Sequence, residues 1–178
     1  MKATGIVRRI DDLGRVVIPK EIRRTLKIRE GNSLEIYTDS QGNVIFKKYS
    51  PIGEMDEIAE TYAQVINKMT GKAAFICDNE KVIAVSGAPK KEYLDKNISF
   101  ALENLINKRD VFVYEKNSKS VSAFENGEEE VFIMIPIIVS SETVGAVFSV
   151  CDGDWRETEM EKKLMQAAAF LLEKQLGF

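Results

Sequence analysis

The chain has 178 residues, of which 44% are apolar and 30% charged, a composition typical of a globular protein. It contains no run near the roughly 18 to 20 apolar residues of a membrane helix, and its first ten residues hold no hydrophobic signal core, which predicts a cytoplasmic protein. Histidine, the commonest general base and metal ligand, is absent, so the composition disfavours an enzyme and predicts no cofactor or metal.

Charge is distributed unevenly along the chain. Residues 1–50 contain 11 Lys and Arg against 6 Asp and Glu, a net charge of +5, whereas the remainder has a net charge of −8. A basic segment followed by an acidic one predicts that the first segment contacts a polyanion and the second does not. A basic surface that contacts only solvent is the alternative at this stage.

The first 48 residues show the pattern of a β-β-α-β-β unit. Short β-branched runs alternate with turn signals, and Pro19 opens a two-turn helix in which Ile22 and Leu26 share one face. The predicted elements are strands 4–10 and 15–18, a helix at 19–26, and a hairpin of strands 33–38 and 44–48. A unit of this size buries too little surface for a convincing core, so we expect it to dimerise.

A break in periodicity at Tyr49–Gly53 coincides with the change of charge sign and predicts a domain boundary. We therefore divide the chain into domains at residues 1–52 and 53–178. The predicted elements of the second domain are, in order, helix 55–69, strands 73–77 and 82–85, helices 91–96 and 99–107, strands 111–114, 131–139 and 143–150, and helix 158–177.

This order of elements predicts an α+β domain, an antiparallel sheet flanked by helices. The first and last helices each carry a wide apolar stripe, at Met55–Met69 and Met160–Leu172. A small sheet is not expected to cover both stripes fully, which predicts helix contacts between chains.

Basic side chains recur beside the turns and short strands of the first domain. Arginine suits nucleic-acid binding because its planar fork bonds bidentately to phosphate or to guanine and stays charged. Composition alone leaves open which arginines contact bases. The candidates are Lys2, Arg8, Arg9, Arg15, Lys20, Arg23, Arg24 and Lys27.

The run GRVVIPKEIRRTL at residues 14–26 resembles the AbrB-type transition-state regulator DNA-binding domain. The resemblance implies that two chains exchange hairpins to form one swapped-hairpin β-barrel with a basic surface laid across double-stranded DNA. It also implies the DNA-contacting residues, Arg8, Arg15, Arg23 and Arg24, with Arg9 and Lys2 as phosphate contacts. A related fold serves antitoxins, but the strongly periodic segment 54–178 favours a regulator over a short toxin-binding tail.

The second domain resembles a GAF domain, in the run Pro136–Val139 followed after a turn by Val144–Val147. The combined arrangement is similar to regulators of spore-forming bacteria, which implies a homotetramer that activates and represses sporulation genes in the forespore. GAF domains bind small molecules beside the sheet. Candidate residues for such a pocket are Phe75, Cys77, Val85, Phe112, Phe132 and Ile135, with a purely structural role in the core as the alternative.

The leading prediction is a sequence-specific transcription regulator whose second domain assembles the protein and senses a small-molecule effector. One alternative is an architectural protein that coats DNA without sequence preference. Another is a thiol reductase that uses Cys77 or Cys151. Because both cysteines lie in apolar surroundings without the short spacing of a redox or zinc motif, we expect them to be buried free thiols.

Overall fold

The computed structural model describes residues 5–115, 119–151, 153 and 159–177. The chain separates into two compact units, which we call the N-terminal unit (residues 1–49) and the C-terminal unit (residues 50–178). The division lies close to the boundary proposed from the sequence. The assignment of dimerisation to one domain and regulation to the other stays a prediction.

The N-terminal unit contains one helix and one antiparallel hairpin, as predicted. Helix α1, Lys20–Thr25, begins after Pro19, whose φ of −57° suits the start of a helix. Strands β1, Leu34–Thr38, and β2, Val44–Lys48, pair in antiparallel register. The turn between them is closed by Asp39, whose Oδ1 atom accepts the backbone N–H groups of residues 41 and 43.

Strands are predicted at 4–10 and 15–18, but residues 5–10 and 15–18 form none. A turn does separate these segments, because the Gly14 N–H donates to the Asp11 carbonyl at 3.0 Å. A strand requires a hydrogen-bonded neighbour. In the part of the N-terminal unit that the structure describes, β1 and β2 pair only with each other. The sequence prediction was wrong for a single chain, since it recognised strand propensity without the strand that would pair with it.

Among residues 5–49, Pro19 alone is buried. Large apolar side chains of this unit are instead exposed to solvent, with exposed fractions between 39% and 85%. They are Ile6, Val7, Ile10, Leu13, Val16, Val17, Leu26, Ile36, Tyr37, Val44, Ile45, Phe46 and Tyr49. The N-terminal unit of one chain therefore has the apolar residues of a core but does not bring them together.

The C-terminal unit is α+β, as predicted. Its helices are α2 (Asp56–Thr70), α3 (Lys90–Tyr93), α4 (Phe100–Ile106) and α5 (Glu159–Leu176). Its strands are β3 (Ala74–Cys77), β4 (Val82–Ser86), β5 (Phe112–Val113), β6 (Val131–Val139) and β7 (Glu142–Val150). They form one antiparallel sheet in the order β4-β3-β7-β6-β5.

These elements lie close to their predicted bounds, with one difference at a helix end. Helix α3 ends at Tyr93, because the chain turns through Asp95 in the left-handed region at φ 61°. The predicted start of the last helix, Thr158, lies outside the described residues. No helix among the residues that the structure describes is long and apolar enough to cross a membrane.

One face of the sheet packs against α2 and α5. Small side chains, including Ala59, Ala63, Ala168 and Ala169, let these helices approach the strands closely. Helix α5 is also tied to the sheet by a polar contact, since the Ser149 hydroxyl donates to the fully buried Glu161 carboxylate at 2.9 Å. This face forms one of the two buried clusters of the unit.

The opposite face packs against α4 and the connections around it, and its core is aromatic. The Phe75 ring stacks on Phe148 with centroids 5.1 Å apart and meets Phe124 edge to face at 5.6 Å. These three rings are at most 1% exposed. Aromatic pairs in these arrangements add to the stability gained from burial alone, so this second cluster stabilises the sheet from its other face.

Candidate nucleic-acid interface

Five of the six predicted DNA-contacting residues lie on the surface of the N-terminal unit. Arg8, Arg9, Arg15, Arg23 and Arg24 are all exposed. The sixth, Lys2, lies outside the described residues. Exposed guanidinium groups on a segment of net positive charge provide the electrostatic attraction that a phosphate backbone requires.

Arg15 is held by the loop that precedes it. The Asp11 Oδ1 atom accepts the backbone N–H groups of Leu13 at 3.0 Å and of Arg15 at 2.8 Å. The Oδ2 atom accepts the Arg15 side-chain Nε at 2.8 Å, while the Arg15 side chain remains 69% exposed. Gly14 closes the loop with a φ of +76°, a conformation that costs glycine little. Arg15 is therefore both positioned and accessible.

Asp11 is the organising residue of this loop. Hydrogen bonds from the Arg15 backbone and then from its side chain hold the pKa of Asp11 below its usual value, so the carboxylate stays charged. The sequence analysis treated Asp11 only as a turn residue. The spacing of an acidic residue four positions before Arg15 was the available signal, because an aspartate side chain bonds readily to nearby backbone N–H groups.

The second basic group lies on α1. Arg23 and Arg24 occupy its last turn, where cations interact favourably with the helix dipole. The Arg23 Nε donates to the Ile18 carbonyl at 3.2 Å, which ties the side chain back to the segment before the helix. Arg15 and Arg23 are thus each restrained by a contact within their own unit, and such restraint lowers the side-chain entropy that would be lost on contact with a partner.

The six residues predicted to line one ligand pocket are divided between the two faces of the sheet. Phe75, Cys77 and Val85 belong to the aromatic cluster, with Phe112 packed against it. Phe132 and Ile135 belong to the cluster beneath α2 and α5. The prediction of a single pocket lined by all six is wrong. Met134 is in register with Phe148, which pairs with Phe75, so its neighbour Ile135 faces the other side of the sheet. The register shift between Val131 and Ile133 places Phe132 on that side as well.

The two cysteines differ in exposure. Cys77 is fully buried, and burial raises the pKa of its thiol far above the usual value, so it holds no thiolate at neutral pH. Cys151 is half-buried at the end of β7, where its backbone N–H donates to the Glu130 carbonyl at 2.9 Å. The geometry around Cys77 is that of a core residue.

Comparison with known proteins assigns both units. Residues 54–177 match the family model described as stage V sporulation protein T C-terminal, transcription factor. Residues 7–53 match the model described as antidote-toxin recognition MazE, bacterial antitoxin. The N-terminal DNA recognition domain of the Bacillus subtilis transition-state regulator AbrB is 63% identical over 28% of this chain and 91% of that chain, with a TM-score of 0.24.

One solved structure of low sequence identity has a similar fold over most of the chain. Type II free methionine-R-sulfoxide reductase from Thermoplasma acidophilum covers 70% of this chain and 94% of its own, at 14% identity and a TM-score of 0.54. A GAF domain/HD domain protein from Geobacter sulfurreducens covers 73% of this chain and 98% of its own, at 16% identity and a TM-score of 0.48.

Transition state regulatory protein AbrB from Bacillus subtilis is 40% identical over 105 residues, which cover 59% of this chain and 97% of the relative. Together with the matched family model, this defines a transcription factor with an AbrB-type N-terminal domain followed by an α+β domain, and this predicted class is confirmed. Stage V sporulation protein T from Bacillus subtilis is 48% identical over 178 residues, which cover 99% of each chain. The chain belongs to the stage V sporulation protein T family.

Proposed function

We propose that this protein binds double-stranded DNA in a sequence-specific manner and activates or represses sporulation genes in the developing forespore. The observation that carries the proposal is the set of exposed arginines on a unit that is 63% identical to a solved DNA recognition domain. Arg8, Arg15, Arg23 and Arg24 are the proposed DNA contacts, with Arg9 and Lys2 on phosphates. The name of the full-length relative supports the link to sporulation.

A second copy of the chain completes the N-terminal unit in this proposal. Its apolar side chains are exposed in one chain, and fully burying a Val, Leu, Ile or Phe side chain is worth about 1.5 to 3 kcal/mol. Exchange of hairpins between two chains would cover these residues. It would also give the segments 5–10 and 15–18 the strand neighbours that a single chain lacks. The product is a swapped-hairpin dimer with two sets of arginines.

Two dimers join through the C-terminal unit in the proposed tetramer. Helices α2 and α5 keep large apolar side chains on their outer surfaces, with exposed fractions between 45% and 55%. They are Val65, Met69, Met160, Phe170 and Leu171. Contacts between such surfaces would link two DNA-binding dimers, so that binding of the first raises the effective concentration of the second.

The proposed mode of action is non-enzymatic: the protein acts in the cytoplasm by occupying DNA. The C-terminal unit would report a small-molecule effector by changing how the two dimers are held, through preferential binding to one arrangement. The burial of Cys77 argues against a thiol reductase that uses this residue as its nucleophile.

The test is the selection of bound fragments from genomic DNA with the purified full chain at a stated salt concentration. We expect a defined sequence motif, located near sporulation genes. Recovery of fragments without a motif would support the architectural alternative and contradict sequence-specific regulation. Lys91→Ala, which removes an exposed cation from the C-terminal unit, is the matched control for Arg→Ala variants and should recover the same motif.

A further inference from the structure

A lysine of the C-terminal unit lies between two aromatic rings. The Lys96 Nζ atom is 4.5 Å from the ring centroid of Tyr93 and 4.6 Å from that of Phe124. Phe124 is almost fully buried, and the Lys96 side chain is 25% exposed. Ammonium groups are attracted to the faces of aromatic rings within about 6 Å, so two rings hold one cation here.

A carboxylate completes the surroundings of this ammonium. The Glu129 Oε1 atom accepts the Tyr93 hydroxyl at 2.8 Å and the Lys96 Nζ at 3.4 Å. The Oε2 atom is buried and has no hydrogen-bond partner among the residues that the structure describes. We call the rings of Tyr93 and Phe124 and the carboxylate of Glu129 the cation cage. The Lys96 ammonium group occupies this cage.

The charge of the cage walls favours a cation. Burial acts to raise the pKa of Glu129, but hydrogen bonds from its own backbone and from Tyr93, together with the Lys96 charge, hold it below the usual value. Burial and the neighbouring Glu129 raise the pKa of Tyr93 to about 12, so its hydroxyl stays protonated and remains a donor. The carboxylate is therefore negative at neutral pH, and its Oε2 atom accepts no hydrogen bond from the described residues.

The backbone around the cage is fixed by hydrogen bonds. The Lys96 carbonyl accepts the Val82 N–H at 3.0 Å, and the Glu129 carbonyl accepts the Ala123 N–H at 2.8 Å. The Glu125 N–H donates to the Asn97 carbonyl at 3.1 Å, which joins the two loops that form the walls. The flexible element is the Lys96 side chain, whose four-carbon stem leads to a strongly hydrated ammonium group.

Gly127 leaves the space that the carboxylate uses. A Cβ atom at this position would lie 2.4 Å from the Glu129 Oε2 atom and 3.1 Å from the Phe124 Cβ. Any side chain here would displace the carboxylate oxygen. The position of Oε2 thus depends on Gly127 as well as on Glu129 itself.

We propose that the cation cage binds small molecules that carry a primary or quaternary ammonium group, and that Lys96 occupies it as an internal ligand until such a molecule displaces it. The rings and the Glu129 carboxylate would receive the ligand cation as they receive the lysine. The proposal extends the sensing role assigned to the C-terminal unit under the proposed function. Its test involves no DNA, so the failure of one is distinguishable from the failure of the other.

The test measures binding of choline and n-butylammonium to the full chain by saturation-transfer NMR titration. A neutral analogue of choline, 3,3-dimethylbutan-1-ol, has the same shape without the charge and serves as the ligand control. We expect saturable binding of both cations and none of the alcohol. Lys96→Met should bind the cations at least 10-fold more tightly, because it removes the internal competitor.

Two variants remove the attraction instead. Glu129→Gln keeps the shape of the side chain without its charge, and Gly127→Ala displaces its oxygen, so each should weaken binding at least 10-fold. Lys91→Met, an exposed lysine outside the cage, should leave the affinity unchanged. Circular dichroism checks the fold of each variant. If Lys96→Met does not fold, the proposal is tested by comparing the cation affinity of the wild-type chain with that of Glu129→Gln.

Three results would overturn the proposal. The first is the absence of cation binding in both the wild-type chain and Lys96→Met. The second is equal binding of choline and the neutral alcohol, which would show that charge plays no part. The third is binding that is unchanged in Glu129→Gln, which would place the cation elsewhere on the protein.

Discussion

The N-terminal and C-terminal units differ in how far they bury their apolar residues. From residue 5 to residue 49 only Pro19 is buried, although the segment is rich in Val, Ile and Leu. The C-terminal unit places a five-stranded sheet between helices and buries a cluster on each face. Apolar content alone therefore does not produce a core; a sheet with a layer on each side does.

The two units also use their cations differently. Arg15 and Arg23 are positioned by Asp11 and by the Ile18 carbonyl and remain exposed. Two lysines of the C-terminal unit, Lys72 and Lys96, are instead mostly buried beside the carboxylates of Glu161 and Glu129. The exposed arginines can contact a binding partner, whereas the charges of the two lysines are neutralised by contacts within the fold.

The largest expected effect is on the stability of the C-terminal unit. Phe148 is fully buried in the centre of the sheet, and Phe148→Ala should lower the free energy of unfolding by about 3 to 5 kcal/mol because it leaves a cavity. Urea denaturation followed by circular dichroism measures this. Val111→Ala, at a 42% exposed position, should change stability by about 0.5 kcal/mol or less. Similar losses in both variants would contradict a self-sufficient core.

The next largest effect is expected when the N-terminal residues are produced without the C-terminal unit. Residues 1–52 alone should form a dimer that binds a two-site duplex on the order of 100-fold more weakly than the full chain, since nothing then joins one dimer to another. Light scattering gives the number of chains, and titration of one-site and two-site duplexes gives the affinity. Equal chain numbers, or equal affinity for the two-site duplex, would contradict a linking role for the C-terminal unit.

A smaller effect concerns single arginines. Arg15→Ala and Arg23→Ala should each weaken operator binding by roughly 1 to 3 kcal/mol without loss of fold, because both side chains are exposed. Binding and circular dichroism are measured on the same samples, with Lys91→Ala as the control. Unchanged affinity in a folded variant would remove that arginine from the contact surface.

The smallest effect is on the dependence of binding on salt. The slope of log affinity against log salt has a magnitude of about 0.9 for each phosphate that the protein neutralises on duplex DNA. Each variant of an arginine that neutralises a phosphate should therefore flatten the slope by about this amount, whereas Lys91→Ala should not change it. A nearly flat titration of the wild-type chain would count against the basic surface as the DNA interface.

Much of this architecture could be predicted from the sequence, because its signals are local. The long hairpin of β6 and β7 was placed within one residue of its observed ends, since continuous apolar runs flank a short polar turn. Helix α2 was recognised from its apolar periodicity and from Gly71, which ends it in the left-handed conformation. Arg15, Arg23 and Arg24 were identified from the contiguous run at residues 14–26.

Other features depend on residues that are distant in the chain. The register shift in β6 placed Phe132 on the face opposite Phe75, which no alternation pattern revealed, and the pairing of Met134 with Phe148 placed Ile135 on that same face. The strands expected at 4–10 and 15–18 need a partner strand that one chain does not supply. Each error arose because the pairing of strands, rather than the strand propensity of single residues, decides whether a strand forms and which face its side chains occupy.

The sequence by itself determined the basic N-terminal motif, the order of helices and strands in the C-terminal unit, and the absence of histidine chemistry. Tertiary structure decided which side chains meet. It brought Glu129 against Lys96 across 33 positions of the chain and Ser149 against Glu161 between a strand and a helix. Local patterns specify the elements, but only the packing of those elements fixes contacts between groups far apart in sequence.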